Sequence, residues 1–448
     1  MKVLVCGSTG CVGAAVVNAL RARGHHVVEG ARRLADGRGT LHVDYAQACT
    51  PARWSERLAA ARVEAVVNCV GILMPSRGQG FERVHAQGPI ELFRGASQAG
   101  VRRIVQVSAL GVGTDAAAVG TPYLHSKLRA DEALAALPLD WAVLRPSLLY
   151  GPRSQSAALF ATLASLPLIS LPGRGNQRVQ PLHVYELAEA IVRLIERPGA
   201  LHEVLELGGP QVLGYREMLA RYRDALGLGP ALWLPLPMPL MRIGAWLAGM
   251  LPQKVFCRDT VAMLERGSVA RDNATPGLLG RAPTAMAQGL AVTLPEPLVD
   301  LRAELSPALS LALRASVAVM WLATAFISAM WPEASGVLRL LARCGFEGSV
   351  GVVVMIASCG LNASLGLMTL WRPTPWLYAV QCGAVLGYTV TAAFNMPELA
   401  LDHCGPLLKN LPVLAVVMLL WVAHRPAADR PPVRRHVVAR VQPGTLRP

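Results

Sequence analysis

Residues 2–13 read KVLVCGSTGCVG, a short β-rich run followed by three glycines, Gly7, Gly10 and Gly13. The next eleven residues, AAVVNALRARG (14–24), carry a helical pattern. A strand, a glycine turn and a helix in that order are the setting in which glycines bind a dinucleotide. They permit positive φ and close backbone approach, and the helix N-terminus receives the pyrophosphate. The spacing is G-x-x-G-x-x-G, not G-x-G-x-x-G. Gly7, Ser8, Thr9, Gly10, Cys11, Val12 and Gly13 are the residues expected to surround a cofactor here.

The second strand lies in HHVVEGARR (25–33). NAD-selective sites end this strand with an acid for the ribose 2′-hydroxyl. Ala31 stands about there, and Arg32 and Arg33 follow it. An arginine at this place pairs with a 2′-phosphate, so NADP(H) is expected in preference to NAD(H). A solvated arginine turn is the alternative.

Further strands follow at regular intervals. TLHVDYAQ (40–47) is expected to end at Asp44, an adenine contact, and EAVVNCVGI (64–72) to end at Asn68, Val70 and Gly71, where backbone passes close to the cofactor. RRIVQVSALG (102–111) ends at Ser108, and DWAVLRPSLLYGP (140–152) at Arg145 and Pro146. Helix-like runs such as WSERLAAA and PIELFRGASQAG separate them. Alternating strands and helices imply an α/β doubly wound parallel sheet, a Rossmann arrangement with its site at the strand C-termini.

In YLHSK (123–127) a tyrosine precedes a lysine by one helical turn, in a chain holding only Lys2, Lys127, Lys254 and Lys409. Together with GSTGCVG, VVNCVGI, VHAQGP, AGVRRIVQVSALG, LRPSLLYGP and QPLHVYELAEAI, this stretch resembles the extended or atypical short-chain dehydrogenases/reductases. These belong to the NAD-dependent epimerase/dehydratase superfamily, and the chain is most similar to the group of the 39-kDa subunit of respiratory complex I. The resemblance spans residues 2 to about 196.

It implies hydride transfer with Tyr123 as acid/base. A free phenol titrates near pH 10, too high to give phenolate readily at neutral pH. The Lys127 ammonium and an oxidised nicotinamide would lower it. Lys127 would also bind the nicotinamide ribose, Ser108 would donate to the substrate oxygen, and Pro146–Gly151 would cover the nicotinamide amide. The chain departs from the family in carrying His85 where asparagine is common. Only 14 residues separate Ser108 from Tyr123. Members of the complex I-like group often bind NADPH without turnover, so catalysis, cofactor binding alone and coincidence all stay open for the pair.

Arg153, Arg174 and Arg178 could hold a phosphorylated substrate or simply be solvated. His183 and Glu186 are expected to be structural. LWLPLPMPLMRIGAWLAGMLP (232–252) is apolar but broken by proline. It is expected to line an apolar pocket and to lie on a membrane surface.

The 448-residue chain is 53% hydrophobic and only 16% charged, an excess concentrated after residue 307. Four apolar runs, 309–331, 350–371, 375–395 and 407–424, approximate the ~20 residues that cross a bilayer. The segments WPEASGVLRLLARCGFEG, LNASLGLMTLW and CGPLLKNLP resemble the four-helix DoxX-like membrane family. Where that family often has an acid in the second span, this chain has Asn362, expected to hydrogen-bond between helices. His403, Lys409 and Asn410 are candidates for contact with a lipid or quinone headgroup.

The expected organisation is a 1–300 NAD(P)-binding Rossmann domain with a substrate subdomain (about 153–180 and 210–300), a 301–424 four-span domain and a 425–448 basic tail. MKVLVC enters a strand at once, so no signal peptide is expected. Six arginines after the last apolar run (Arg425, Arg430, Arg434, Arg435, Arg440 and Arg447) put the tail and the Rossmann domain on the cytoplasmic side of an inner or cytoplasmic membrane. The net charge of +14 comes without a basic face interleaved with aromatics, and aromatics total only 5%, which excludes nucleic acid as a partner. Nine cysteines without C-x-x-C or His-paired spacing leave no metal site. The functions left are a membrane-tethered NADP(H)-dependent oxidoreductase acting on a lipid-like or quinone-like carbonyl or alcohol, a non-catalytic NADPH-binding protein of a membrane complex, and a nucleotide-sugar epimerase or dehydratase.

Overall fold

The computed structural model describes residues 1–34, 36–37, 39–76, 78–113, 121–248, 258–294, 307–333, 335–398 and 407–424. The arginine-rich tail, Asp402 and His403 lie outside them. Strands β1 (Lys2–Cys6), β2 (His26–Ala31), β3 (Thr40–His42), β4 (Ala65–Asn68), β5 (Arg103–Val107) and β6 (Asp140–Pro146) join the edge strand His202–Leu207 in one seven-stranded sheet. All of its pairings are parallel. The spatial order is His202–Leu207, β6, β5, β4, β1, β2, β3. The chain runs outward from β1 in both directions, so the order reverses between β1 and β4, where a crevice opens at the strand C-termini.

Side-chain alternation explains the two cores. Val3, Val5, Ala65, Val67, Val105, Val107, Ala142 and Leu144 point to one face, against α1 (Cys11–Ala22) and the helix Val184–Glu196. Leu4, Cys6, Val66, Ile104, Trp141 and Val143 point to the other, against α2 (Pro51–Ala60), α3 (Gly88–Gln98) and α4 (Pro122–Ala135). Strands buried on both faces must be apolar throughout, which is why they read as continuous runs. β3 stops at His42, short of the expected Asp44. The Asp44 carboxylate accepts the Ala46 amide at 3.0 Å, and that local turn displaces the ladder.

Arg103 is fully buried at the N-terminal end of β5, away from the crevice. Its guanidinium donates to the carbonyls of Leu194, Arg197 and Gly199, each at 2.7 Å, and to Asp140 at 2.9 Å. One charged side chain therefore satisfies the carbonyl end of the helix Val184–Glu196.

Beyond β6 a third cluster collects Tyr150, Ile169, Leu171, Met218, Leu219, Tyr222 and Leu290. There Leu168–Pro172 pairs in parallel with Leu232–Leu236, and the helix Met238–Ala248 follows. Of the segment expected to be broken apolar chain, 232–248 is thus a strand and a helix joined at Pro237, and 249–252 lie outside the described residues.

Among the described residues three helices, Ala308–Met330, Gly348–Trp371 and Pro375–Asn395, are long and apolar enough to cross a membrane. The expected fourth span is the helix Asn410–Ala423, 14 residues long. It rises only about 21 Å, short of the ~30 Å hydrocarbon core. Polar groups tie the helices together: Tyr388 donates to Asn362 at 3.2 Å, Gln381 to Thr369 at 2.7 Å and Asn410 to Thr389 at 2.7 Å. Arg343 pairs with Glu398, which brings two of the connecting segments to one end of the bundle.

Candidate functional site

The glycine turn closes tightly over β1 and β4. Gly7 has φ +77°, and a Cβ there would sit 3.2 Å from the Cys69 carbonyl carbon. A Cβ on Gly13 would lie 2.1 Å from the Gly7 oxygen, so only glycine lets α1 begin where it does. The Gly7 and Ser8 amides donate to Gly30, at 2.7 and 3.1 Å, fixing the turn against the end of β2. Thr9 and Gly10 are exposed, Cys11 and Val12 half-buried, at the positive end of the α1 dipole. These residues form a cradle that a dinucleotide pyrophosphate fits. A cavity of about 370 Å³ adjoins the turn, running from Ser8 and Thr9 past Asn18 to Arg153 and Tyr185. It does not reach Tyr123.

Arg32 and Arg33 are exposed just past the end of β2, beside the small, buried Ala31. Asp44 is half-buried at the end of the neighbouring β3 segment. Asn68 behaves differently from its surroundings. Its side chain is fully buried, accepting the Tyr45 hydroxyl at 2.9 Å and donating to Gln106 at 2.7 Å. Only its backbone, with Val70 and Gly71, borders the crevice.

α4 begins at Thr121, whose hydroxyl accepts the Leu124 amide, and Pro122 sets the first turn. Tyr123, Lys127 and Asp131 therefore fall on successive turns of the face packed against the sheet. They are 7%, 4% and 4% exposed. Lys127 Nζ donates to the Val107 carbonyl at 3.1 Å and stands 5.9 Å from the Tyr123 ring centroid. A Cβ on Gly71 would be 3.8 Å from both Lys127 Nζ and His85 Nε2, so the end of β4 is in reach of the pair. Pro146 is buried at the end of β6, and its carbonyl accepts the Leu110 amide at 3.1 Å.

Ser108 Oγ donates to Asp131 Oδ2 at 2.7 Å, and Arg145 Nη2 lies 3.6 Å from the same oxygen. The serine expected to offer its proton to substrate thus directs it at a buried carboxylate. Asp131 was missed in the sequence, although its four-residue step beyond Lys127 carried the signal.

Burial dominates the titrations. It lowers Lys127 to about 8, with Asp131 opposing, and raises Asp131 to about 6 against Ser108, Lys127 and Arg145. It also pushes the Tyr123 phenol well up, with the Asp131 charge adding to the effect. In the protein as it stands, Tyr123 holds its proton across the neutral range, and the expected lowering is not what its surroundings produce.

His85 lies in a six-residue π-helix, Glu82–Gln87. Its Nε2 accepts the Ile72 amide at 3.0 Å and its Nδ1 faces Ser126 Oγ at 3.1 Å, while Ser126 donates to the Tyr123 carbonyl at 2.8 Å. With Nε2 an acceptor, Nδ1 must carry the proton, so the ring is neutral. Burial lowers it to about 2. The ring stacks on Phe81 and meets Tyr123 edge-on at 5.2 Å. Phe81, Ala109, Val112 and Leu124 complete an apolar shell around the tyrosine, with Met263 packed on its outside.

His183 and Glu186 serve the fold. His183 bonds Thr293 at 2.9 Å, and Glu186 accepts from Thr284 and Arg281. Arg153, Arg174 and Arg178 are exposed.

Fold and site together define an NAD(P)-binding Rossmann domain with a helix-borne Tyr-Lys pair, followed by an apolar helical region. Residues 3–208 match the NAD dependent epimerase/dehydratase family and residues 318–418 the DoxX-like family, and the chain carries a domain of each. It is 28% identical over 232 residues to the mitochondrial NADH dehydrogenase [ubiquinone] 1 alpha subcomplex subunit 9 of Arabidopsis thaliana. That match covers 48% of this chain and 55% of the plant protein, so about half of that relative's length is represented. It is 29% identical over 283 residues to a 3-diazoavenalumate denitrifying reductase of Streptomyces sp, covering 56% of this chain and 90% of the reductase. The solved structure of MoeE5 in complex with UDP-glucuronic acid and NAD has the same fold, at TM-score 0.50 and 20% identity, covering 65% of this chain and 97% of MoeE5.

Proposed function

We propose that the protein is a membrane-tethered, NADP(H)-dependent oxidoreductase that moves hydride to or from an apolar carbonyl or alcohol. The placement of Tyr123 and Lys127 on one buried face, beside Gly71 and inside an apolar shell, carries this reading. A nicotinamide cofactor held at the Gly7–Gly13 turn would supply the hydride chemistry when bound. Tyr123 gives its phenolic proton to the carbonyl oxygen, and Lys127, held by the Val107 carbonyl, stabilises the phenolate left behind. The phenol then regains a proton from solvent. A raised phenol pKa suits the reductive direction, in which the tyrosine must begin protonated.

Arg32 and Arg33 would hold the 2′-phosphate of NADP(H). The apolar shell of Phe81, Val112, Leu124 and Met263 favours a substrate without charge. The arginines that follow the last apolar run support a cytoplasmic Rossmann domain, provided that the shorter fourth helix crosses with the other three. Fluorescence titration of the purified chain with NADPH and NADH, then NADPH oxidation across a panel of apolar ketones, aldehydes and quinones, tests the reading. Stronger binding of NADH, or no oxidation with any member, counts against it.

A second reading is retained cofactor binding without turnover. The hydrogen bond from Ser108 to Asp131 favours it, because the serine's one proton is already engaged. Tight NADPH binding with no oxidation of any panel member would select it.

A further inference from the structure

We propose that the face formed by Leu232, Leu234, Leu240 and Ile243 rests on the surface of the bilayer that the chain's own apolar helices cross. Leu232 and Leu234 are each 43% exposed, Leu240 and Ile243 each 54%. The first two share one face of the strand Leu232–Leu236, which pairs only with Leu168–Pro172 among the described residues. The last two are one turn apart on the helix Met238–Ala248, directly after it. Trp233, on the opposite strand face, is half-buried beneath the Arg216 guanidinium at 5.1 Å. From Leu232 to Ala245 the sole ionisable side chain is Arg242, and Glu265 pairs with it at 2.9 Å. Four exposed aliphatic side chains on adjoining elements, with no charge among them left unmatched, mark an interaction surface.

Two features select lipid as the occupant. The first is the tether. Four aliphatic side chains alone would hold a protein on a membrane weakly, but helices in the same chain make the contact intramolecular and raise its effective concentration. The second is the rim. Arg174 is exposed next to Gly173, whose amide donates to the Leu236 carbonyl at 2.7 Å. An arginine bordering an apolar face suits anionic headgroups above buried acyl chains. The inference rests on the membrane tether of the proposed function and is independent of its chemistry. It sets the outer wall of the substrate subdomain at lipid level, within reach of a substrate dissolved in the membrane.

The test uses the full chain in nanodiscs of phosphatidylcholine and phosphatidylglycerol, doped with a phosphatidylcholine bearing an acyl-chain diazirine. After photolysis, label is mapped by peptide mass. Label is expected on the 229–245 stretch as well as on Gly348–Trp371, and Leu240→Glu with Ile243→Glu should remove the former severalfold while leaving the latter. Leu234→Ser provides the same comparison should the double variant not fold. Label on Gly348–Trp371 without label on 229–245 overturns the proposal. No label on either stretch would remove the tether and the proposal with it, and would leave the Tyr123 chemistry untouched.

Discussion

Ser108 gives its hydroxyl proton to Asp131, 2.7 Å away and equally buried, on the helix that carries Tyr123 and Lys127. A serine so engaged meets a ligand as an acceptor, and it becomes a donor only if the carboxyl takes up a proton. Asp131 faces Ser108 from β5, Lys127 on its own helix and Arg145 from β6. The site's polarity is therefore set by a residue that need not touch the substrate.

Asp131 should leave a mark on stability. Its folded pKa of about 6 lies above the ordinary 3.8, so between these values the folded protein binds more protons than the unfolded one. This group's contribution is thus present at low pH and lost as pH rises through that window. Thermal midpoints of wild type and Asp131→Asn, measured in detergent from pH 4 to 7.5, should differ progressively across the window, with the variant gaining relative to wild type as pH rises. A constant difference would mean that Asp131 does not titrate there.

On the proposed reading, the arginines after β2 set cofactor choice. Arg32→Ala with Arg33→Ala should weaken NADPH binding about ten- to hundredfold, the scale of a lost charge-assisted hydrogen bond, and leave NADH within about twofold. Equal losses for both nucleotides in fluorescence titrations would show that these residues do not read the 2′-phosphate.

His85 links the Ile72 amide after β4 to the Ser126 hydroxyl of α4. Truncation in His85→Ala strands the Ile72 amide, removes the donor to the Ser126 oxygen, which keeps its bond to the Tyr123 carbonyl, and opens space beside Tyr123. We expect a loss of about 3 kcal/mol in unfolding free energy. Because the folded ring stays neutral down to a pKa of about 2 while the unfolded imidazole protonates near its ordinary 6.5, the loss should be larger at pH 8 than at pH 5.5, by about 1 kcal/mol. Chemical denaturation at the two pH values checks this, and a loss no smaller at the lower pH would mean that the folded ring protonates there.

The strands were legible because parallel strands covered on both faces must be apolar, and the glycine turn because Gly7 and Gly13 admit no Cβ. The Tyr-Lys spacing was visible as one helical turn. What the sequence hid was direction. Nothing in VVNCVGI says that Asn68 turns inward to Tyr45 and Gln106, or in SALG that Ser108 turns to Asp131, since both depend on partners distant in the chain. The sign of the Tyr123 shift was hidden for the same reason. Lysine spacing, together with an oxidised nicotinamide, suggested a lowered phenol, whereas the protein's own burial and the Asp131 charge raise it. The last apolar run was already the shortest of the four, and its helix, Asn410–Ala423, is shorter still.

The central claim is that Tyr123 transfers a proton during NADPH-dependent reduction. The most direct measurement compares wild type with Tyr123→Phe for NADPH affinity and for NADPH oxidation with an apolar carbonyl. The account predicts affinity within about twofold and a rate reduced at least about a hundredfold, the scale of general acid catalysis. A wild-type enzyme that oxidises NADPH and a Tyr123→Phe variant that does so at the same rate would contradict it.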